Sequence, residues 1–285
     1  MSIVRSRDDA VIGSLLRTTS RIFDRGNETK AAENLYDTHL KRVIDIAMVL
    51  ILAPVALPLM LVCMALVKAT SRGAVLYSQV RVGRYGRQFR MYKIRSMRVD
   101  AESGTGPRWC TPGDSRITPV GWFLRKSHID ELPQLWNILR GELSLIGPRP
   151  ERPEITTDLV RSLPAFIDRV EVRPGLSGLA QVLQPPDTSI HTVRRKLYYD
   201  LQYSTEVGPW LDARILFATG FHLVGVPARL IAWLFGFPPI PEASEGPLEN
   251  AVQSSEQSAP ESSSEFEAIA PPFARDSRML SEARS

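Results

Sequence analysis

Asp130 and Glu131 are adjacent acids in the stretch "RKSHIDELPQLWNILRGELSLIGPRPE", which also carries Arg125 and Arg149; Lys93 and Arg95 stand upstream in "YKIRSM". Two neighbouring carboxylates can divide labour: one attacks phosphorus as a nucleophile while the other binds metal or takes a proton. Arginine forks and lysine point charges suit the oxygens of a phosphate. A helix N-terminus also attracts phosphate, yet two carboxylates placed there would repel it. A divalent cation resolves the conflict, because Mg²⁺ is typically held by one or two carboxylates plus substrate phosphates and stabilises charge in phosphoryl transfer. The plainer reading is structural. "SHID" (Ser127 to Asp130) matches a capping box, acids are favourable in a first helical turn, and each cation alone reads as a solvated surface charge.

The elements that would position these groups follow from the pattern around them. "AVLYSQVRVG" and "YGRQFRMYKIRSM" read as two strands joined at Gly83 and Gly86, a hairpin. Asp100 to Pro119, rich in Gly, Pro, Ser and Thr, reads as loop, and Pro119 to Lys126 leads into a helix. Leu132, Leu135, Trp136 and Leu139 fall on one face of a second helix, closed by Gly141. "RVEVRPGLSGLAQV" reads as a short strand, a Pro-Gly turn and another short element. The mixture is α+β, helix-rich with short strands and without the alternating units of a parallel sheet.

Ile46 to Val67 contains no charge over about 22 residues, enough to span a bilayer. Pro54 and Pro58 sit inside it, where each removes a backbone hydrogen bond and bends the helix. Its flanks are basic on both sides, Lys41 and Arg42 before and Lys68 and Arg72 after, so the positive-inside rule keeps both ends in the cytoplasm. A re-entrant helix-break-helix satisfies both observations better than a single span. Asp45 is placed to pair with Arg42. Trp210 to Phe237 is apolar but interrupted by Asp212, Arg214, His222, Pro227 and Arg229, which favours interfacial helices over a second span.

Of 285 residues 44 % are apolar, enough for a core, and the net charge of +4 is unevenly spread. From Glu242 onward there are nine acids and three arginines, so the rest of the chain carries about +10. Such a body suits a phosphate-rich partner: nucleic acid, a nucleotide or an anionic membrane surface. Nucleic acid would account for neither the uncharged segment nor the acidic pair. Cys63 and Cys110 form no disulfide framework, which fits a reducing compartment. The first residues have no signal-peptide pattern, and the Ser/Glu/Pro-rich tail is expected to be disordered. The expected organisation is a polar segment at 1–37, a membrane segment at 38–70 and a catalytic domain at 71–208. Interfacial helices at 209–241 and the acidic tail at 242–285 complete it.

From about Lys41 to Leu216 the chain resembles the bacterial sugar transferases, the monotopic phosphoglycosyl transferases. The residues that carry the likeness are "KRVIDIAMVLILAPVALPLM", "YKIRSM", "DSRITPVGWFLRKSHIDELPQLWNILRGELSLIGPRPE", "VRPGLSGLAQV" and "YYDLQY…WLDARIL". The resemblance implies transfer of a sugar-1-phosphate from a UDP-sugar to a polyprenyl phosphate, usually undecaprenyl phosphate, with release of UMP. It makes Asp130 the nucleophile and gives Glu131 metal and proton handling, with Mg²⁺ held by the pair. Arg125, Arg149 and Lys93 become anion contacts, and Arg95, Arg173 and Gln181 further substrate contacts. It also implies a re-entrant helix broken near Ala53-Pro54, and a cytoplasmic catalytic domain on the bacterial inner membrane. A homodimer and downstream glycosyltransferases are the implied partners. The likeness is to compact members without a multi-span N-terminal bundle. Two positions depart from the family pattern: Leu179-Ala180 in the "GLSGLAQV" loop and His128 before the acidic pair, both able to alter substrate choice.

Overall fold

A 30-residue helix, α1 (Lys41–Thr70), opens the architecture after a π-helical turn at Tyr36–Leu40. This computed structural model describes residues 36–101, 113–187 and 189–238; the polar N-terminal segment and the acidic tail lie outside them. Pro54 and Pro58 sit inside α1 without interrupting it, so the expected break is not a gap between two helices. Among the described residues α1 is the one helix long and apolar enough to cross a membrane. Its buried residues, Lys41, Asp45, Val49, Ala56, Cys63 and Val67, recur at helical spacing along one stripe.

Both ends of α1 grip the rest of the protein. At the start, Arg42 donates to the carbonyls of Ile138 and Leu139 (2.5 Å to the latter). Asp45 accepts from Ser144 Oγ and Leu145 N, each at 3.0 Å. The Arg42–Asp45 pair expected from their spacing therefore does not form: each finds unpaired backbone groups on a neighbouring element, a more exacting demand than a surface ion pair. Lys41 enters a buried network with Asp212, Tyr203 and Tyr36. At the far end, Cys63 and Val67 pack with Ile94 and Leu124.

Strands β1 (Leu76–Val82) and β2 (Gln88–Ile94) form the expected antiparallel hairpin, Leu76 opposite Ile94. Tyr85 and Gly86 at its tip have positive φ. Helix α2 (Pro119–Lys126) begins where Thr118 Oγ1 accepts from Gly121 N at 3.0 Å, with proline in the first turn. A Cβ on Gly121 would lie 1.9 Å from the Ser96 carbonyl oxygen, so only glycine lets α2 press against the end of β2. Helix α3 (Gln134–Arg140) ends at Gly141 in the left-handed region, as its sequence indicates.

Beyond α3, β3 (Ser144–Ile146) pairs in parallel with β4 (Gly175–Ser177). Between them lie α4 (Pro153–Ser162) and a 3-10 segment, Pro164–Val170. Helices α5 (Leu179–Leu183), α6 (Ile190–Glu206), α7 (Pro209–Leu223) and α8 (Ala228–Phe235) complete the described fold. It is helix-rich with two two-stranded sheets. Val49 of α1 shares one apolar core with Ile138, Leu143, Ile215, Ala218 and Ile231. Trp210, Phe217 and Trp233 are exposed on α7 and α8.

The outward face of α3 differs from the sequence expectation. Its buried residues are Gln134, Asn137 and Ile138, whereas Trp136 is exposed. Leu135 and Leu139 of the expected face do pack against the core, and Asn137 accounts for the turn of Trp136: its Oδ1 accepts from Tyr92 N at 3.2 Å and its Nδ2 donates to Arg90 O at 2.7 Å. The free edge of β2 needs hydrogen-bond partners, and a polar side chain turned inward supplies them.

Candidate active site

The acidic pair lies on a 3-10 turn, Ile129–Glu131, wedged between α2 and α3. It caps no helix. Ser127 instead closes α2, its Oγ donating to the Phe123 carbonyl at 2.8 Å, and the residue that opens α3 is Pro133, without side-chain capping. His128 stands before the turn at φ 56° and ψ 13°, a left-handed conformation rare for a side-chain-bearing residue. Strain of this kind concentrates at functional sites because the surrounding structure must hold it.

Asp130 and Glu131 are both buried, 4 % and 8 % exposed, and their surroundings divide them. Glu131 Oε1 accepts from Lys93 Nζ at 2.7 Å and from Arg149 Nη2 at 2.5 Å; Oε2 lies 3.3 Å from Arg149 Nη1. Burial pushes its carboxyl up, but the charges of Arg149 and Lys93 outweigh that and hold it well below the usual range. Among the described residues no hydrogen bond reaches the Asp130 carboxylate. Burial is the largest influence on it; Lys93 pulls its pKa down, Glu131 pushes it up, and it comes to rest at about 6. One acid is thus a fixed anion, and the other is desolvated, unclamped and ionised at neutral pH.

The remaining predicted residues divide by location. Lys93 on β2 and Arg149 in the Gly-Pro-Arg-Pro segment reach the pair. Arg125, at the end of α2, lowers the Asp130 pKa through its charge and has no ion-pair partner among the described residues. Arg95 is not brought to the site: its guanidinium donates to Arg72 O at 2.6 Å and to Ser71 O and Oγ at 3.1 and 2.7 Å, which fixes the exit of α1. Arg173 is not brought to the pair: burial lowers its pKa, and the charges that act on it are those of Arg84, Asp37, Asp45 and Arg42. Gln181 donates to Leu176 O at 2.9 Å, leaving its buried Oε1 without a partner.

Residues that the sequence did not single out hold the site together, notably Arg169, Asp200 and Lys196. Arg169 pairs with Asp200 across 31 residues and Lys196 with Glu151 across 45, so no local spacing betrays these two pairs.

For a divalent ion, the described residues hold no cluster of three or more His, Cys, Asp or Glu side chains. The pair fits the sparser pattern of Mg²⁺, in which one or two carboxylates share the ion with substrate phosphates. Asp130 has uncommitted oxygens, and Glu131 Oε2 is the more loosely held of its two.

Taken together, these features are one candidate membrane helix and a buried acidic pair, with one carboxylate free, the other clamped, and cations around both. The chain belongs to the bacterial sugar transferase family, whose sequence model matches residues 36–225. It is 42 % identical over 180 residues to the UDP-N-acetylgalactosamine-undecaprenyl-phosphate N-acetylgalactosaminephosphotransferase of Aeromonas hydrophila, covering 63 % of this chain and 42 % of that protein. It is 40 % identical over 181 residues to the UDP-glucose:undecaprenyl-phosphate glucose-1-phosphate transferase of Xanthomonas campestris pv. campestris, covering 61 % and 37 %. With a protein of that same description from Caulobacter vibrioides it shares 36 % identity over 181 residues, covering 63 % and 67 %. The chain therefore spans about two fifths of the length of the first two relatives.

Proposed function

We propose that this protein is a phosphoglycosyl transferase that moves a sugar-1-phosphate from a UDP-sugar to a polyprenyl phosphate and releases UMP. The observation that carries the reading is the asymmetry of the pair, with Asp130 free to react and Glu131 held between Lys93 and Arg149. In the first step an Asp130 oxygen bonds to the sugar-bearing phosphorus. The bond from that phosphorus to the bridging oxygen breaks, and UMP leaves with the electron pair. In the second step a phosphate oxygen of the lipid attacks the same phosphorus, expelling the Asp130 carboxylate and giving a polyprenyl-diphosphate-sugar. Lys93, Arg125 and Arg149 bind and orient the diphosphate and offset its charge as it shifts toward UMP. Mg²⁺, held by Asp130 and Glu131 with the donor phosphates, would supply further charge stabilisation on the leaving group.

UMP release across a panel of UDP-sugars tests this reading and identifies the donor. Relatives named for UDP-glucose and for UDP-N-acetylgalactosamine make those two the first donors to try. Turnover of at least one UDP-sugar, dependent on polyprenyl phosphate, is expected; no UMP from any donor contradicts the assignment.

The membrane arrangement belongs to the same proposal. Helix α1 enters the bilayer and returns, bending at Pro54 and Pro58, with the catalytic domain on the cytoplasmic face of the inner membrane. Two facts support this: both ends of α1 are fastened to one protein body, and both flanks are basic. Lys30→Cys and Gly104→Cys, each in a background with Cys63 and Cys110 replaced, report the two sides. Both should resist an impermeant thiol reagent on intact cells. Labelling of one position alone contradicts re-entry.

A further inference from the structure

Arg149 reaches Glu131 from the segment Gly147 to Glu151, and every residue of that segment is tied by its backbone to something outside it. Gly147 N donates to Ser177 O at 2.8 Å, and Pro148 O accepts from Gly175 N at 3.0 Å. Arg149 O accepts from Arg169 Nη2 at 2.7 Å and Pro150 O from Arg81 Nη1 at 3.1 Å. Glu151 O accepts from Val82 N at 2.9 Å. Prolines on both sides of Arg149 fix their own φ, so little freedom is left to the residue between them.

The side chains that hold the segment are themselves buried and charged. Arg169, 5 % exposed, donates to Asp200 Oδ2 through Nε at 3.0 Å and Nη2 at 2.6 Å, and lies 4.8 Å from the Phe166 ring centre. The Glu151 carboxylate accepts from Lys196 and lies 3.5 Å from Arg81; Lys196 also reaches Asp187 at 3.0 Å. A buried ion pair commonly contributes no more stability than apolar residues of the same volume. Stability is therefore a poor account of so many desolvated charges behind one short segment. Geometry is a better one, because a displacement of about 1 Å at a reacting centre can cost about 10²-fold in rate.

We propose that Arg169, with its partner Asp200, is a positioning residue that holds the Arg149 carbonyl and so keeps the Arg149 guanidinium on Glu131 and the substrate diphosphate. This rests on the reading of the site as a phosphoglycosyl transferase centre, and it assigns a role in the reaction to groups that touch neither substrate nor dyad. Glu151, through Lys196 and Arg81, is the second anchor of the same segment.

A double-mutant cycle between this anchor and Arg149 tests the inference. Arg169→Met/Asp200→Leu removes both buried charges together, which avoids stranding one of them. Its kcat for UMP release should fall roughly 10- to 100-fold while Arg149 is present. Combined with Arg149→Ala, the same change should cost less than about twofold more, since the group being positioned is gone. An equal loss in both backgrounds, or a folded variant with undiminished kcat, overturns the proposal. Should the pair variant fail to fold, Arg169→Lys keeps the charge opposite Asp200 but loses the fork that also reaches Arg149 O, and it enters the same cycle under the same criteria. Affinity for UDP by calorimetry, measured on the same proteins, follows the same non-additive pattern. A wild-type protein that bound UDP but released no UMP would refute the functional reading and leave the cycle to decide the anchor.

Discussion

Asp130→Asn should release UMP several orders of magnitude more slowly than wild type while remaining folded. The amide keeps the shape of the side chain but lacks the anionic oxygen that attacks phosphorus. No helix is lost with it, because Asp130 caps none. Its folded pKa of about 6 lies above the unfolded value of 3.8. For an acid shifted upward, the stability contribution is present below the unfolded value and is lost as pH rises from about 4 through about 6. At pH 7 wild type therefore carries a desolvated charge that the variant does not, and Asp130→Asn should melt at or above the wild-type temperature. The same value sets the acid limb of activity: without acceptor, the rate of UMP release should fall about tenfold per pH unit below about 6. An inactive variant that is also destabilised would point to misfolding and not to a missing nucleophile.

Glu131→Gln should damage both stability and rate. It strands Lys93 and Arg149 beside a neutral amide in a largely desolvated site, and breaking one side of such a pair costs about 3–5 kcal/mol. Some exposure of Arg149 places the expected loss at the lower end of that range. The Glu131 carboxyl is held below its ordinary 4.5, so its stabilising effect is present above that pH and is lost as pH falls through the folded value. The variant's stability deficit should therefore shrink in acid, which thermal melts across pH 3 to 7 measure. Turnover should fall about 10²- to 10³-fold, the range seen when a preorganised electrostatic group is removed. A variant with wild-type turnover would remove Glu131 from the chemistry.

Much of this site was legible in the chain because its parts are contiguous. The dyad, Pro133 and the Gly-Pro-Arg-Pro segment stand within one stretch, and Gly83 and Gly86 mark the hairpin that carries Lys93. The uncharged run of α1 declared itself by length. What stayed hidden was set by tertiary contact. The apolar pattern of Leu132, Leu135, Trp136 and Leu139 indicated a buried face, but the edge of β2 required an inward amide at Asn137, and Trp136 turned outward. Arg95 resembled Lys93 in position and charge, yet the open carbonyls at Ser71 and Arg72 capture it. Arg169 and Lys196 reach partners 31 and 45 residues away, beyond any local pattern. Ser127 to Asp130 matched a capping box by residue type, while the left-handed backbone at His128 directs those residues into a 3-10 turn instead.

The central claim is the covalent step at Asp130. Protein incubated with a turned-over UDP-sugar and no polyprenyl phosphate, then quenched in acid and analysed by intact-mass and peptide mass spectrometry, reports it directly. The account predicts one added sugar-phosphate per chain on the peptide containing Asp130, lost on addition of lipid acceptor and absent from Asp130→Asn. A wild-type protein that releases UMP only when acceptor is present, and carries no adduct before it, would contradict a phosphosugar intermediate on Asp130.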